Sequence, residues 1–252
     1  MDQLPLVNPP AFVLGVRHGI VAQVDCVVWW ARIDDYRPEL DSLLSPVESA
    51  RAARLRQPED RVRQVLGAAL LRLAAASQTE ASAGAVVVDR TCSRCAEAHG
   101  RPTLPGTGLH ASITHSGGLV GLALTRAAPV GLDVERVSGI DIEGLSPSVL
   151  HASERAESPN PSGFLTYWTR KEAVVKTTGD GLNTALADVQ VTGPMDPAAL
   201  LSYPGRARLP AYLADLHPAE GYRAAVAILT AAPVGVLERP ASRLLCALPF
   251  SP

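Results

Sequence analysis

Lysine is nearly missing from this 252-residue chain: two lysines accompany 21 arginines, the bias that a GC-rich coding sequence leaves. Cysteine is also sparse, and four in a chain of this length exclude a disulfide scaffold. There is no excess of positive charge. The net charge of -2 provides no overall basic field for a nucleic acid, although local patches can still bind phosphate. The start, Met1-Asp2-Gln3-Leu4, lacks the basic and apolar regions of a signal peptide. The most apolar stretches are interrupted by Arg72, Arg126 or Pro233 before they reach the length of a membrane span. What remains is a folding composition, 47% apolar and 19% charged, rather than a disordered one. The expectation is a cytoplasmic globular protein with no nucleic-acid or membrane partner, built as one large domain or two small ones sharing a core.

Residues 24–33 are rich in β-branched and aromatic residues and read as a strand. A basic segment, 46–63, follows. From Asp60 the apolar positions Val62, Val65, Leu66, Ala69, Leu70 and Leu73 recur at helical spacing. Gly84–Asp89 reads as a strand and 91–108 as loop. Leu119–Thr125 and Pro129–Glu135 read as an antiparallel pair turning near Ala127-Ala128. Phe164–Thr177 holds strong helix formers and stops at Gly179. Three strands are expected in the tail, at Ala187–Thr192, Tyr212–Asp215 and Tyr222–Leu229. The order strand, helix, strands occurs twice, which places two α+β subdomains on either side of residue 126, 1–125 and 126–252, with no low-complexity linker between them.

Five groups of residues carry possible chemistry. In Gly131-Leu132-Asp133-Val134-Glu135, alternation on a strand places Asp133 and Glu135 on one side. Two carboxylates held together repel unless a cation joins them, and magnesium suits such oxygens; alternating acids on a solvated strand edge are the plainer reading. A near copy, Gly139-Ile140-Asp141-Ile142-Glu143, lacks a preceding apolar run and reads as a loop or helix start. On the later helix, Trp168, Glu172 and Lys176 are four apart and share a face; Glu172 and Lys176 also form an ordinary i,i+4 ion pair. His115 lies in Ser-Ile-Thr-His-Ser-Gly-Gly, where small residues let backbone amides approach an anion, or where a turn simply exposes a histidine. Arg51, Arg54, Arg56, Arg61 and Arg63 form either a solvated helix face or forks for phosphate. Cys92-x-x-Cys95-x-x-x-His99 has zinc spacing but needs a fourth ligand, which His110 or His115 would have to supply; a loop with reduced thiols is the plainer reading. Cys26 and Cys246 sit in apolar runs and read as core.

In chain order, His99-Gly100-Arg101-Pro102, Ser112-Ile113-Thr114-His115-Ser116-Gly117, the Gly131–Glu135 motif and Trp168-Thr169-Arg170-Lys171-Glu172-Ala173-Val174-Val175-Lys176 resemble the 4′-phosphopantetheinyl transferase superfamily, Sfp-like branch. The resemblance covers most of 45–185. It implies an α+β fold of two similar α/β subdomains packed as an intramolecular pseudo-dimer, with the site between them. It implies magnesium on Asp133, Glu135 and Glu172, and coenzyme A as substrate, its phosphates contacted by Arg51, Arg63, Arg101, Thr114, His115 and Lys176. Glu172 would take the proton of a serine on an apo acyl or peptidyl carrier protein, and Lys176 and Asp133 would complete the catalytic group. A monomer follows, because the pseudo-dimer lies within one chain. The sequence departs from the family pattern at Thr114, where serine is usual, at Glu48, where some relatives are basic, and at Asp180, where lysine is common. Three other functions are compatible with the same residues: a non-catalytic coenzyme A- or carrier-binding protein, a zinc-binding interaction module and an unrelated magnesium phosphohydrolase.

Overall fold

The computed structural model describes residues 24–92, 95–98, 100–155 and 160–246. The expectation about Met1–Leu4 therefore falls outside the described residues, as does His99. The principal elements are β1 (Val24–Arg32), α1 (Pro46–Ala53), α2 (Pro58–Ala76), β2 (Thr103–Leu104), β3 (Leu109–Ser116), β4 (Leu119–Thr125), β5 (Val130–Arg136), α3 (Ile142–Val149) and α4 (Pro161–Thr178). They continue with β6 (Gln190–Val191), β7 (Leu200–Ser202), β8 (Tyr212–Leu216), β9 (Tyr222–Ile228), β10 (Gly235–Pro240) and α5 (Ser242–Leu245). The fold is mixed α+β, and no described helix is long and apolar enough to cross a membrane.

Two sheets carry the architecture. The larger runs β10-β1-β4-β3-β2 and the smaller β5-β9-β8, while β6 and β7 form a separate pair. Alternation along the strands gives each sheet two apolar faces. On the larger sheet Trp29, Ala31, Leu122 and Leu124 receive Val65, Leu66, Ala69 and Leu70 of α2. The opposite face, with Cys26, Val28, Trp30 and Ala123, packs against Val130, Leu132, Val134, Val226 and Ile228 of the smaller sheet. The far side of the smaller sheet, through Ala225 and Ala227, is covered by Phe164, Leu165, Ala173 and Val174 of α4. The order of layers is thus helix, sheet, sheet, helix.

Alternation on β5 has a second result. With Val130, Leu132 and Val134 committed to the inter-sheet core, Gly131, Asp133 and Glu135 face α4. Gly131 lets the helix backbone approach: a Cβ there would overlap Ala173 O and lie 2.7 Å from Thr177 N. Gly131→Ala is therefore expected to lower stability by about 1–3 kcal/mol or more. Urea unfolding would measure this; an unchanged midpoint would show that α4 can shift freely on β5.

The expected antiparallel pairing of Leu119–Thr125 with Pro129–Glu135 is corrected. β4 pairs with β1 and β3, and β5 pairs with β9. The link through Ala127-Ala128 carries the chain from one sheet to the other. The edge of β5 is instead closed by hydroxyls at alternate positions of β3. Ser112 Oγ accepts from Leu132 N (3.0 Å), Thr114 Oγ1 from Val134 N (3.3 Å) and Ser116 Oγ from Arg136 N (3.2 Å). Three backbone donors that would lie open on an edge strand are satisfied this way.

Other expectations change as well. Gly84–Asp89 begins as a 3-10 turn and contributes only a bridge between Asp89 and Thr103. The strand expected at Ala187–Thr192 shortens to Gln190–Val191. Cys26 is core, but Cys246 is exposed at the end of α5, where Arg37 Nη2 reaches its sulfur at 3.4 Å. β10 was not anticipated. It runs parallel to β1, tied by Trp30 Nε1 donating to Glu238 Oε2 (2.8 Å) and Gly235 N to Asp25 Oδ2 (3.1 Å).

Candidate active site

Helix α4 is fixed before it presents any chemistry. Asn160 caps its start by accepting from Gly163 N at 2.8 Å, and Gly179 ends it at φ +77° in the left-handed region that favours glycine. Two fully buried cations anchor its length. The Arg170 guanidinium forks onto Asp215 (2.8 and 2.6 Å) and also donates to the carbonyls of Thr192, Gly193 and Asp196. Lys171 Nζ meets Glu154 Oε2 at 2.5 Å and the carbonyls of Val149 and Leu186. Trp168 packs edge-on against Phe164. Held in this way, α4 turns Glu172 and Lys176 toward β5.

Lys176 does not pair with Glu172, its neighbour four residues away. Its Nζ donates to Asp133 Oδ1 (2.5 Å) and Leu132 O (3.1 Å), and Thr114 Oγ1 lies 3.4 Å away. Thr114 Oγ1 also donates to Asp133 Oδ1 (3.2 Å), and Ser116 Oγ donates to Glu135 Oε2 (2.7 Å). The same hydroxyls that close the edge of β5 therefore orient its two carboxylates. Burial pushes all three acids toward the protonated form. Glu135 is raised to about 7 by burial and then by Asp133, Glu172 is raised by burial and by Asp133, and burial raises Asp133 against the opposing charge of Lys176.

Asp133 Oδ2 is buried without a partner. An orphaned carboxylate oxygen beside two further carboxylates whose ionisation is suppressed is the donor set of a hard divalent cation. Among the described residues, no three His, Cys, Asp or Glu side chains are grouped closely enough to hold a metal ion as they stand. Lys176 occupies Asp133 Oδ1, so Glu135 and Glu172 would have to close on Asp133 around Oδ2.

The anion-side residues divide into groups. The alternation that aims Thr114 at β5 turns His115 to the opposite face of β3, toward α2. Partial desolvation, followed by the charges of Arg63 and Lys176, depresses the pKa of His115 and favours the neutral imidazole, whose N–H can donate. Arg63 is already engaged: Nε donates to Gly117 O (2.7 Å), Nη1 to Asp60 (2.6 Å) and Nη2 to Glu59 (2.8 Å). With Tyr222 Oη accepting from Gly118 N (3.0 Å), it holds the turn after His115 in place. Arg101 Nη1 donates to Thr177 O at 3.0 Å, which joins the Gly-Arg-Pro segment to the end of α4. Arg51 is exposed on α1. Ser116 and Tyr222 were missed by sequence reasoning. The alternation Ser112, Thr114, Ser116 was the readable signal for the first; nothing local signals the second.

Asp141, in the near copy of the acidic motif, is the N-cap of α3 and accepts from Gly144 N at 3.0 Å. Asp141→Ala is expected to cost about 1 kcal/mol of stability and to leave turnover unchanged; paired melting and rate measurements would check both. Asp180, the other departure, accepts from Tyr203 Oη (2.6 Å) and pairs with Arg206 (3.0 Å). Of the zinc candidates, His99 lies outside the described residues, and His110 sits opposite Thr103 in the β2–β3 pair.

A family model described as the 4′-phosphopantetheinyl transferase superfamily matches residues 129–227, which contain Asp133, Glu135, Glu172 and Lys176. The 4′-phosphopantetheinyl transferase HetI of Nostoc sp. is 29% identical over 216 residues, 80% of this chain and 86% of the relative. The chain is thus similar to the 4′-phosphopantetheinyl transferases. The 4′-phosphopantetheinyl transferase Sfp of Bacillus subtilis is 27% identical over 194 residues, 73% of this chain and 82% of the relative. AcpT of Salmonella typhi, another 4′-phosphopantetheinyl transferase, is 35% identical over 109 residues, 38% of this chain and 57% of the relative. Arg51, Arg63, Arg101, Thr114 and His115 precede the matched stretch, and the structure connects the last three to it through β3 and the end of α4.

Proposed function

We propose that this protein transfers the 4′-phosphopantetheine group of coenzyme A to a serine of an apo acyl or peptidyl carrier protein, releasing adenosine 3′,5′-bisphosphate. The observation that carries this reading is the contact of Lys176 with Asp133 and Thr114 between α4, β5 and β3, beside Glu135 and Glu172. Magnesium suits these oxygens and, held by Asp133, Glu135 and Glu172, would supply positive charge to a pyrophosphate. The protein's own groups perform the rest. Glu172, its pKa raised by burial, accepts the proton of the carrier serine hydroxyl. Lys176 neutralises charge on the departing phosphate, and neutral His115 and Arg101 donate to phosphate oxygens. Thr114 and Ser116 keep the two β5 carboxylates in position, so that catalysis rests mainly on placement and charge. The reading includes a cytoplasmic monomer whose two α/β subdomains, 1–125 and 126–252, form a pseudo-dimer, with β10 returning to the first sheet.

Intact-mass spectrometry of an apo carrier protein incubated with the protein, coenzyme A and magnesium tests the reading. A gain of one phosphopantetheine, lost on chelation, supports it; no gain on several carriers, with coenzyme A still bound, would leave a binding protein of the same fold. The acidic cluster also makes a prediction about pH. Because Glu135 is raised to about 7, its contribution to stability is fully present below the ordinary glutamate range and is lost as pH rises through 7. The cation-free protein is expected to melt lower at pH 8 than at pH 6. Magnesium at about 100 times its dissociation constant would add about 2.7 kcal/mol, roughly 5–10 °C, at pH 8 and much less at pH 5, where it competes with the proton. Equal thermal shifts at the two pH values would dissociate cation binding from Glu135.

A further inference from the structure

The ammonium of Lys176 has more claims on it than it can meet. Its Nζ donates to Asp133 Oδ1 at 2.5 Å and to Leu132 O at 3.1 Å, with Thr114 Oγ1 at 3.4 Å. An ammonium has three protons, and these three oxygens take all of them. The departing phosphate of the reaction proposed above needs the same charge. Lys176 must therefore give up at least one of its partners before it can serve a substrate.

The surroundings show which partner is exchanged. Leu132 O is backbone, fixed within β5, and Thr114 Oγ1 is neutral. Asp133 carries the charge, and it is only half satisfied: Oδ1 receives Lys176 and Thr114, while Oδ2 is buried without a partner. A divalent cation drawn to Oδ2 would stand beside the ammonium, and like charges that close repel strongly in a partly desolvated place. The lysine is the group that can yield. Its side chain ends a flexible stem and is 32% exposed, against 5% for Asp133. Thr114 keeps the carboxylate oriented when the lysine leaves, because its hydroxyl donates to Asp133 Oδ1 and accepts from Val134 N independently of Nζ. Lys171 on the same helix shows the opposite design: Nζ is held by Glu154 and the carbonyls of Val149 and Leu186, and the side chain is fully buried with no path to water.

We propose that Lys176 is an exchangeable counter-ion, which balances Asp133 until a divalent cation takes that carboxylate and then swings to a phosphate of the substrate. The identities of the cation and the phosphate rest on the function proposed above. Lysine and cation thus compete for one carboxylate, and each weakens the other's hold by the same factor. The lysine is freed for the leaving group only when the cation is in place, so a phosphate that arrives without a cation meets an ammonium already engaged.

The chain contains only two lysines, so isotopic labelling of lysine nitrogen gives two ammonium signals in NMR, with Lys171 as the internal reference. In chelator, both ammonium groups of the full chain should exchange protons with water slowly. Saturating magnesium is expected to speed exchange at Lys176 by about tenfold or more, as for release of a charge-assisted hydrogen bond, and to leave Lys171 unchanged. Adenosine 3′,5′-bisphosphate should then slow Lys176 again. Calorimetric titration with magnesium should show Lys176→Met binding about 5- to 150-fold more tightly than wild type. Unchanged exchange at Lys176 while calorimetry records bound magnesium overturns the proposal and leaves the magnesium reading in place. A folded Lys176→Met that binds magnesium no more tightly does the same, and exchange that stays fast with the bisphosphate bound overturns the transfer to phosphate. If Lys176→Met fails to fold, the wild-type exchange rates decide. A wild type that binds no magnesium removes the magnesium reading itself, and this role for Lys176 with it.

Discussion

Asp133→Asn is expected to lower the transfer rate by about three orders of magnitude with little change in folding stability. The rate follows from charge. Asparagine keeps the shape of the side chain and can still receive Thr114, but it removes the buried anionic oxygen that would hold a cation, whose charge stabilisation is worth several kcal/mol. About 4 kcal/mol corresponds to roughly 10³-fold in rate. The stability follows from exposure. Asp133 is nearly buried, whereas the Lys176 side chain is 32% exposed, so the lysine left behind can turn to water instead of remaining a buried unpaired charge. Burial already raises the pKa of Asp133, so removing its charge relieves a desolvation cost that offsets the lost ion pair. Single-turnover transfer measured beside a urea titration separates the two effects. A variant within about tenfold of wild-type rate would show that this carboxylate is not required. A large loss of stability would show instead that Lys176 cannot leave.

The second large effect should be on folding. Lys171→Met is expected to destabilise the protein by about 3–5 kcal/mol, because it strands Glu154 in the interior. Unlike Lys176, Lys171 is fully buried, and its partner is 5% exposed. Glu154 has other duties: Oε2 accepts from His151 N (2.8 Å) and Oε1 from Val191 N (3.2 Å). Adding Glu154→Gln removes the stranded charge and retains an acceptor, so the double variant should recover more than half of the loss. Urea midpoints of the four proteins in the cycle would measure the coupling. A loss below about 1 kcal/mol in Lys171→Met would mean that the segment around 149–154 relaxes and admits water. The chain's only two lysines thus lie five positions apart on one helix and do opposite work: one anchors α4, and the other faces the site.

The legible parts of the fold were those set by local periodicity. The alternation of Asp133 and Glu135 on a strand and the span of α4 from its formers to Gly179 were readable because each depends on neighbours in sequence. The partners of those residues were not. The i,i+4 rule offered Glu172 to Lys176, but Asp133, 43 residues away, binds it, because the close approach at Gly131 brings β5 under the helix. The pairing of β4 with β5 was misread because a short link between two apolar runs looks the same whether the chain folds back or crosses to another sheet. The hydroxyl ladder from β3 decides between them, and its effect is invisible until the two strands lie side by side. Glu48 was read as a missing base; in the structure it belongs to a buried pair whose other half, Arg72, is hidden in the apolar face of α2.

The position of β10 bears on the order in which the chain can be assembled. The bonds that tie it to β1 join residues 208 and 210 positions apart, so a growing chain exposes one flank of β1 until the segment about 200 residues later has been synthesised. Contacts of such long range are slow to form, and an unpaired strand flank invites pairing with another chain in the meantime. β1, the first of the described strands, is therefore among the last of them to be completed, and a chaperone or a slow ribosome would have its largest effect on yield during that interval.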